Sequence, residues 1–164
     1  MQVTPEVVRR GFPLPIGVGL RRVADLDGMP APMLYPIEQE GLGPRAVPER
    51  RTLFALGRAA ARDALAELGA EPSAIPRSPD GAPQWPEGVV GAITHTRQMA
   101  VAVAGRRTDY VGLGVDLEEL DRGIRDDIAR LVCRPAEMDW VTGGSGIDRL
   151  LMVFSAKEAI FKAL

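Results

Sequence analysis

The sequence predicts an α/β fold, because segments with the period of strands alternate with segments with the period of helices. A long helical pattern covers residues 48–68, and Gly69 follows it as a C-terminal stop. Residues 89–95 and 99–104 are apolar runs joined by a short loop, and residues 147–164 have amphipathic helical spacing. A chain of 164 residues, 46% of them hydrophobic, has the size of one domain that buries a core.

The bulk composition excludes several classes of protein. A formal net charge of −2 gives no general attraction to nucleic acid or to an anionic membrane surface. The one cysteine, Cys133, excludes an internal disulfide and favours a reducing cytoplasm. The pair Arg9-Arg10 precedes an apolar stretch, as in some export signals, but prolines interrupt that stretch and no cleavage motif follows. We therefore expect a cytoplasmic protein with no membrane segment.

The first part of the chain is irregular and leads into the long helix. Residues 1–49 are rich in proline and glycine, and they predict one strand and one short helix near residues 37–41. The helix at 48–68 places its apolar side chains inward and carries a basic stripe, formed by Arg50, Arg51, Arg58 and Arg62. Such a stripe is usually a helix face exposed to solvent, and the more specific alternative is a binding site for an anion.

The middle of the chain predicts a hairpin that ends in polar residues. Residues 72–88 form a turn-rich connection, and the two apolar strands follow it. His95 ends the first of these strands directly after Thr94, where a polar pair could meet a ligand phosphate. A lone histidine is more often structural or simply exposed, so the position alone favours that interpretation over a ligand contact.

Two acids lie at the end of a third predicted strand, at residues 110–118. Asp116 and Glu118 are two residues apart, so in a strand their side chains share one face with Cα atoms about 6.6 Å apart. Carboxylates in small number suit Mg²⁺, which completes its shell with water and substrate phosphate. Many strand ends carry two solvated acids, so this pattern alone is weak evidence for a metal site.

A third acid belongs to the last helical pattern, which follows two shorter helices predicted at residues 124–132 and 135–141. Glu158 lies four residues after Phe154, on the face that we expect to point inward together with Phe161. Burying a carboxylate there is costly unless it is paired or binds a metal. Lys162 is four residues further on and could form an ordinary helical ion pair with Glu158, so helix geometry leaves both possibilities open.

Four blocks of the sequence, taken in this order, resemble the 4′-phosphopantetheinyl transferase family, in its enterobactin synthetase component D branch. Residues 48–65 read PERRTLFALGRAAARDAL, and residues 80–95 contain DGAPQWP and GAITH. Residues 114–118 read GVDLE, and residues 154–163 read FSAKEAIFKA. The third block alone is weak, but its combination with the fourth is specific, and together the blocks span most of the chain.

The resemblance implies a fold and an activity. The family fold is α/β, with two similar halves related by a pseudo-twofold and coenzyme A in the cleft between them. Residues 1–107 would form the N-terminal half with the coenzyme A contacts, and residues 108–164 a partial C-terminal half with the metal-binding acids. Such enzymes transfer the 4′-phosphopantetheine arm of coenzyme A to a serine of an apo acyl or peptidyl carrier protein and release 3′,5′-ADP. Family members continue past the last helix, so we expect a truncated chain with an incomplete second half.

The resemblance also implies roles for individual residues. The metal-binding acids for Mg²⁺ are Asp116, Glu118 and Glu158. The positions that hold the nucleotide and phosphates of coenzyme A are Arg50, Arg58, Thr94 and His95, with Lys157 near the diphosphate. Glu158 is the expected acceptor of the serine proton, and Lys162 is expected to adjust it.

The sequence departs from the family at one position and leaves alternatives open. Some relatives carry a lysine where this chain has Ala82, and the nearest basic residue in sequence is Arg77. A truncated chain could bind coenzyme A without turnover. A Mg²⁺-dependent phosphohydrolase is a third reading, and it predicts phosphate release without any carrier protein.

Overall fold

The computed structural model describes residues 3–43, 45–119, 126–144 and 146–164. Its helices are α1 (Pro5–Arg9), α2 (Pro36–Glu40), α3 (Pro48–Glu67), α4 (Asp126–Val132), α5 (Pro135–Thr142) and α6 (Gly146–Ala163). Its strands are β1 (Gly17–Arg22), β2 (Val89–His95) and β3 (Met99–Arg106), and a short 3₁₀ helix covers Val23–Leu26. None of the helices in these ranges is long and apolar enough to cross a membrane.

The three strands form one antiparallel sheet in the order β1-β3-β2. The central strand β3 is buried between two layers, because α3 covers one face and apolar side chains before β1 and after β3 cover the other. The first layer joins Ala60, Ala64 and Leu65 of α3 to Ala102 and Ala104 of the strand. The second layer contains Ile16, Val18, Val90, Val103 and Leu113. Small side chains on both α3 and β3 let the helix lie close to the sheet.

Glycines in β1 set the closest part of that contact. A Cβ added at Gly17 would lie 1.9 Å from the carbonyl oxygen of Ala64, and one added at Gly19 would lie 1.8 Å from that of Ala60. Any side chain at these positions would therefore push α3 away from the sheet. The Gly-x-Gly spacing of the strand matches the four-residue spacing of the two alanines on the helix.

The same contact recurs between residues 112–114 and α6. A Cβ at Gly112 would lie 2.0 Å from the carbonyl oxygen of Ala163, and one at Gly114 would lie 1.7 Å from that of Ala159. A Gly-x-Gly segment thus packs on two alanines four residues apart in both parts of the chain. This repetition supports the expectation of two similar halves, while their boundary at residue 107 stays a prediction.

The prediction of a third strand at residues 110–118, all of which the structure describes, is wrong. Residues 110–119 contain no strand, and they pair with neither edge of the sheet. A strand exists only where a neighbouring strand offers a ladder of hydrogen bonds, and this segment lies against α6 instead. The alternating sequence is therefore compatible with a strand but cannot supply its partner.

Most other predicted elements are confirmed. The long helix, the hairpin strands, the short helix near residues 37–41 and the helices in the last third all appear within a few residues of their predicted bounds. The predicted start of the helix at Ile124 lies outside the described residues. Helix α1 was not predicted, because five residues give no readable period.

The expectation for the inward face of α6 is only partly correct. Leu150 and Leu151 are buried, with Leu150 packed against Ala129 of α4 and Val141 of α5. Phe161, however, is 75% exposed. The apolar cluster that α6 forms with α4 and α5 includes Leu150 and Val153 of α6, and Phe161 lies beyond it.

Candidate active site

A cavity of about 560 Å³ lies where the end of β2, residues 116–119 and α6 meet. We call it the acid cleft; its polar lining comes mainly from Thr94, His95, Asp116, Glu118, Glu119 and Lys162. Five predicted site residues are therefore brought together from three separate parts of the chain, namely Thr94, His95, Asp116, Glu118 and Lys162. The cleft exists because Gly114 lets residues 112–118 run close along α6.

Asp116 is the most enclosed acid of the cleft. Its side chain is 5% exposed, and its Oδ1 accepts hydrogen bonds from Lys162 Nζ at 2.5 Å and from Thr94 Oγ1 at 3.1 Å. Its Oδ2 is buried and has no hydrogen-bond partner. A buried carboxylate oxygen without a donor is a favourable position for a cation or for a ligand that donates a hydrogen bond. Lys162 thus pairs with Asp116 and not with Glu158, which helix spacing alone had allowed.

The three predicted metal-binding acids are not gathered at one point. Asp116 and Glu118 line the acid cleft, and both also border an apolar cavity of about 800 Å³ against Val8, Phe12 and Leu151. Glu158 lines neither cavity. Among the described residues, no cluster of three or more acids, histidines or cysteines is arranged to hold a metal ion. Glu158 does lie one helical turn before Lys162, so its backbone position is next to the cleft.

A smaller cavity of about 200 Å³ adjoins the cleft and is lined by arginines. We call it the arginine cavity; it is surrounded by Arg50, Arg58 and Arg77, and its other lining residues include Phe54, Gly81 and His95. The two cavities share Leu53, Ile93 and His95 as lining residues. A molecule with two anionic groups could therefore reach basic side chains in one cavity and the acids with Lys162 in the other.

Arg58 is the buried member of the predicted basic stripe. It is 6% exposed, its guanidinium lies over the Phe54 ring at 4.2 Å, and its Nε has no hydrogen-bond partner. Burial lowers the pKa of Arg58 to about 10, and the nearby carboxylate of Glu38 opposes that shift. A solvated helix face is thus the wrong interpretation at this position, because the charged group points into a cavity.

Arg77 brings a third guanidinium to the cavity, from the turn-rich connection. Its Nε donates to the carbonyl oxygen of Gly81 at 2.9 Å, and its backbone forms an isolated β-bridge with Pro83. The turn with a positive φ at Gly81 folds residues 77–83 back on themselves, so that Arg77 is held beside Gly81 and Pro83. Sequence distance could not show this, because the turn decides where the side chain lies.

His95 stands at the junction of the two cavities. Its pKa is lowered from the ordinary value, first by partial burial and then by the positive charges of Lys162 and Arg50. The ring is thus neutral near pH 7, and one of its nitrogens can donate a hydrogen bond while the other accepts one.

Lys157, like Glu158, is a predicted site residue that lines none of these cavities. Its Nζ donates to the carbonyl oxygen of Val132 at 2.5 Å and to Glu137 Oε2 at 2.6 Å. These partners belong to α4 and α5, and Lys157 lines neither the acid cleft nor the arginine cavity.

Sequence reasoning missed two acids that support the site. Glu119 accepts hydrogen bonds from the backbone and side chain of Arg97, which ties the acid segment to the turn between β2 and β3. Glu38 is completely buried and pairs with Arg62 of the basic stripe. Local sequence does not indicate the role of either acid, because each is paired with an arginine more than twenty residues away.

Comparison with known proteins connects this geometry to one family. A family model for the 4′-phosphopantetheinyl transferase N-terminal domain matches residues 38–105, and one for the 4′-phosphopantetheinyl transferase superfamily matches residues 112–164. The first match contains the arginine cavity, and the second contains the acids of the cleft.

Individual relatives agree with the family models. The chain is 39% identical over 140 residues to the 4′-phosphopantetheinyl transferase Svp of Streptomyces mobaraensis, covering 82% of this chain and 55% of the relative. It is 36% identical over 154 residues to the transferase Npt of Nocardia iowensis, covering 92% and 66%. It is 32% identical over 125 residues to the enterobactin synthase component D of Salmonella typhi, covering 70% and 48%. The chain thus spans between about half and two thirds of the length of these relatives.

Proposed function

The chain belongs to the 4′-phosphopantetheinyl transferase superfamily, and on that premise we propose that it acts as a phosphopantetheinyl transferase. The reaction transfers the 4′-phosphopantetheine arm of coenzyme A to a serine of an apo acyl or peptidyl carrier protein and releases 3′,5′-ADP. The observation that carries the proposal is the contact of a cation-lined cavity with an acid-lined one through His95. Coenzyme A needs both environments, because its 3′-phosphate must be bound and its diphosphate must be activated. The single cysteine supports a cytoplasmic location.

The arginine cavity is the proposed binding place for the nucleotide end of coenzyme A. Arg50 and Arg58 present guanidinium groups, which bind phosphate through paired hydrogen bonds. The unpartnered Nε of Arg58 gains a partner when a phosphate enters. Thr94 and His95 are proposed to lie between the nucleotide and the diphosphate, because both line the acid cleft and His95 also lines the arginine cavity.

The acid cleft supplies some, but not all, of the oxygen ligands that a hard cation such as Mg²⁺ would take from the three predicted acids. Asp116 and Glu118 would hold Mg²⁺, because both carboxylates line the cleft and the Oδ2 of Asp116 is buried without a partner. When bound, Mg²⁺ supplies charge neutralisation on the diphosphate oxygens. Glu158 is proposed as the third ligand on the strength of its position one turn before Lys162.

The remaining residues act on the reacting groups. In the transfer, the serine oxygen forms a bond to the phosphorus that bears pantetheine, and the bond from that phosphorus to the bridging oxygen of 3′,5′-ADP breaks. Glu158 takes the serine proton, and the ammonium group of Lys162 stabilises negative charge on the phosphate oxygens. Lys157 can contact the diphosphate only after leaving Glu137, with which it is paired here.

The test is the mass of the carrier protein after reaction. The chain is incubated with an apo carrier protein, coenzyme A and Mg²⁺, and the carrier is weighed by intact mass spectrometry. We expect a gain of one phosphopantetheine group, lost with EDTA and with Glu118→Ala but kept in Glu71→Ala, which removes an exposed acid outside both cavities. Coenzyme A binding without a mass gain would instead describe a fragment that binds without turnover. Phosphate release without the carrier would describe a phosphohydrolase.

A further inference from the structure

Glu38 is a completely buried acid that lines neither the acid cleft nor the arginine cavity. Its Oε1 accepts hydrogen bonds from the backbone N–H of Ile75 at 2.9 Å and from Arg62 Nη1 at 3.0 Å. Its Oε2 accepts from the backbone N–H of Tyr35 at 2.9 Å and from Arg62 Nη1 at 3.1 Å. A buried carboxylate that is satisfied in this way needs no hydrogen bond from a ligand.

These bonds join the segments that build the arginine cavity. Arg62 lies four residues after Arg58 on α3, so the two side chains share a face of the helix. Ile75 lies two residues before Arg77, at the start of the folded-back connection. The end of α2 also touches that connection, because a Cβ added at Gly41 would lie 3.0 Å from Arg77 Cβ.

The positive charges that line the arginine cavity repel one another, so a nearby negative charge is needed to stabilise them. Arg50, Arg58 and Arg77 line the cavity, and the described side chains of its lining include no acid. The positive charges of Arg77 and Arg62 disfavour the charged form of Arg58, whereas the charge of Glu38 favours it. Glu38 is therefore the internal counter-charge that lets like charges converge while their outer side stays free for a ligand.

We propose that Glu38 is a positioning residue of the arginine cavity, holding Arg58 and the segment of Arg77 in place for a phosphate group that it does not itself contact. The identity of that phosphate as part of coenzyme A rests on the proposed function. The positioning role of Glu38 is independent of the proposed function, because it can be tested with inorganic phosphate alone.

The experiment follows the arginine side chains while phosphate binds. The Nε–Hε signals of the ¹⁵N-labelled protein are recorded during titration with inorganic phosphate, and the Arg58 signal is identified by its loss in Arg58→Lys. We compare Glu38→Gln, which removes the charge at constant size, with Glu40→Gln, which changes an exposed acid on the same helix. We expect the phosphate affinity at the Arg58 signal to fall about tenfold or more in Glu38→Gln and to be unchanged in Glu40→Gln.

A second variant separates positioning from stability. Glu38→Gln leaves Arg62 without its counter-ion, so its thermal midpoint will fall. The double variant Glu38→Gln/Arg62→Met removes both charges, and we expect it to recover much of the thermal midpoint without recovering phosphate affinity. Recovery of both together would mean that Glu38 only stabilises the fold, and wild-type affinity in Glu38→Gln would overturn the inference directly.

The same titration distinguishes the inference from the proposed function. Coenzyme A and 3′-dephospho-coenzyme A are compared on the wild-type chain by calorimetry. A cavity that binds phosphate in a Glu38-dependent way, with no preference for coenzyme A, would contradict the proposed use of the cavity and leave the positioning role intact. A wild-type Arg58 signal that phosphate does not move would overturn the positioning role itself.

Discussion

At the scale of single residues, Asp116 connects the stability of the fold to the chemistry of the cleft. Lys162→Met removes the cation at Oδ1 and leaves a nearly buried carboxylate without a counter-charge. We expect a loss of about 2 kcal/mol in the free energy of unfolding, because the pair is partly open to solvent on the lysine side. If Asp116 and Glu118 hold Mg²⁺, then Mg²⁺ will restore more stability to this variant than to the wild type.

The chain offers its own control for that measurement. Lys157→Met removes the only other lysine, whose partner Glu137 is a third exposed. Urea unfolding with and without Mg²⁺ should therefore show a smaller loss and no Mg²⁺ dependence for Lys157→Met. Equal behaviour of the two variants would argue against cation binding at Asp116.

His95 predicts a pH dependence that no other imidazole can mask, since it is the only histidine in the chain. Its pKa is lowered in the folded state, so the unfolded chain binds the proton more tightly and protonation favours unfolding. We expect the wild type to lose stability relative to His95→Gln as the pH falls from about 7 to about 5. Chemical unfolding at several pH values measures this difference, and a constant difference would contradict the lowered pKa.

At the scale of secondary-structure elements, the glycine contacts make the sharpest prediction. Gly114→Ala would force residues 112–114 away from α6, because the new Cβ meets a backbone oxygen that cannot rotate away. We expect a loss of about 3 kcal/mol in the free energy of unfolding. Gly43→Ala is the matched control, since a Cβ there meets nothing within 4 Å. A similar stability for both variants would show that α6 is not held by this contact.

The elements also show what periodicity can and cannot predict. Helix α3 and the β2–β3 hairpin can be predicted from local sequence, because the hydrogen bonds of a helix are local and the two strands of a hairpin pair with each other. Residues 110–118 alternate as a strand does, yet a strand needs a partner that local sequence cannot name. In the same way, Thr94, Asp116 and Lys162 lie together in the acid cleft, but the sequence could not predict their mutual hydrogen bonds, and their roles in a reaction stay predictions. Lys157 is equally suggestive in the sequence, and its side chain is paired with Glu137 of the neighbouring helix α5.

At the scale of the whole molecule, the described chain has apolar surface on α6. Met152, Ile160 and Phe161 are between 62% and 75% exposed. We expect Phe161→Ser to change the free energy of unfolding by less than about 0.5 kcal/mol and to reduce self-association. Leu151→Ala, on the buried side of the same helix, should cost about 2–5 kcal/mol. Urea unfolding and light scattering measure the two effects, and a large loss for Phe161→Ser would mean that its ring is covered in solution.

The wall shared by the arginine cavity and the acid cleft has a consequence for how tightly a ligand binds. Once one anionic group of a molecule is held on one side of His95, the tether gives its second group a high effective concentration on the other side. Two fragments of the same molecule, added as separate compounds, lack that advantage and each bear the full entropy of association. Affinity at such a divided site therefore depends on the length of the ligand between its charges as much as on the charges themselves.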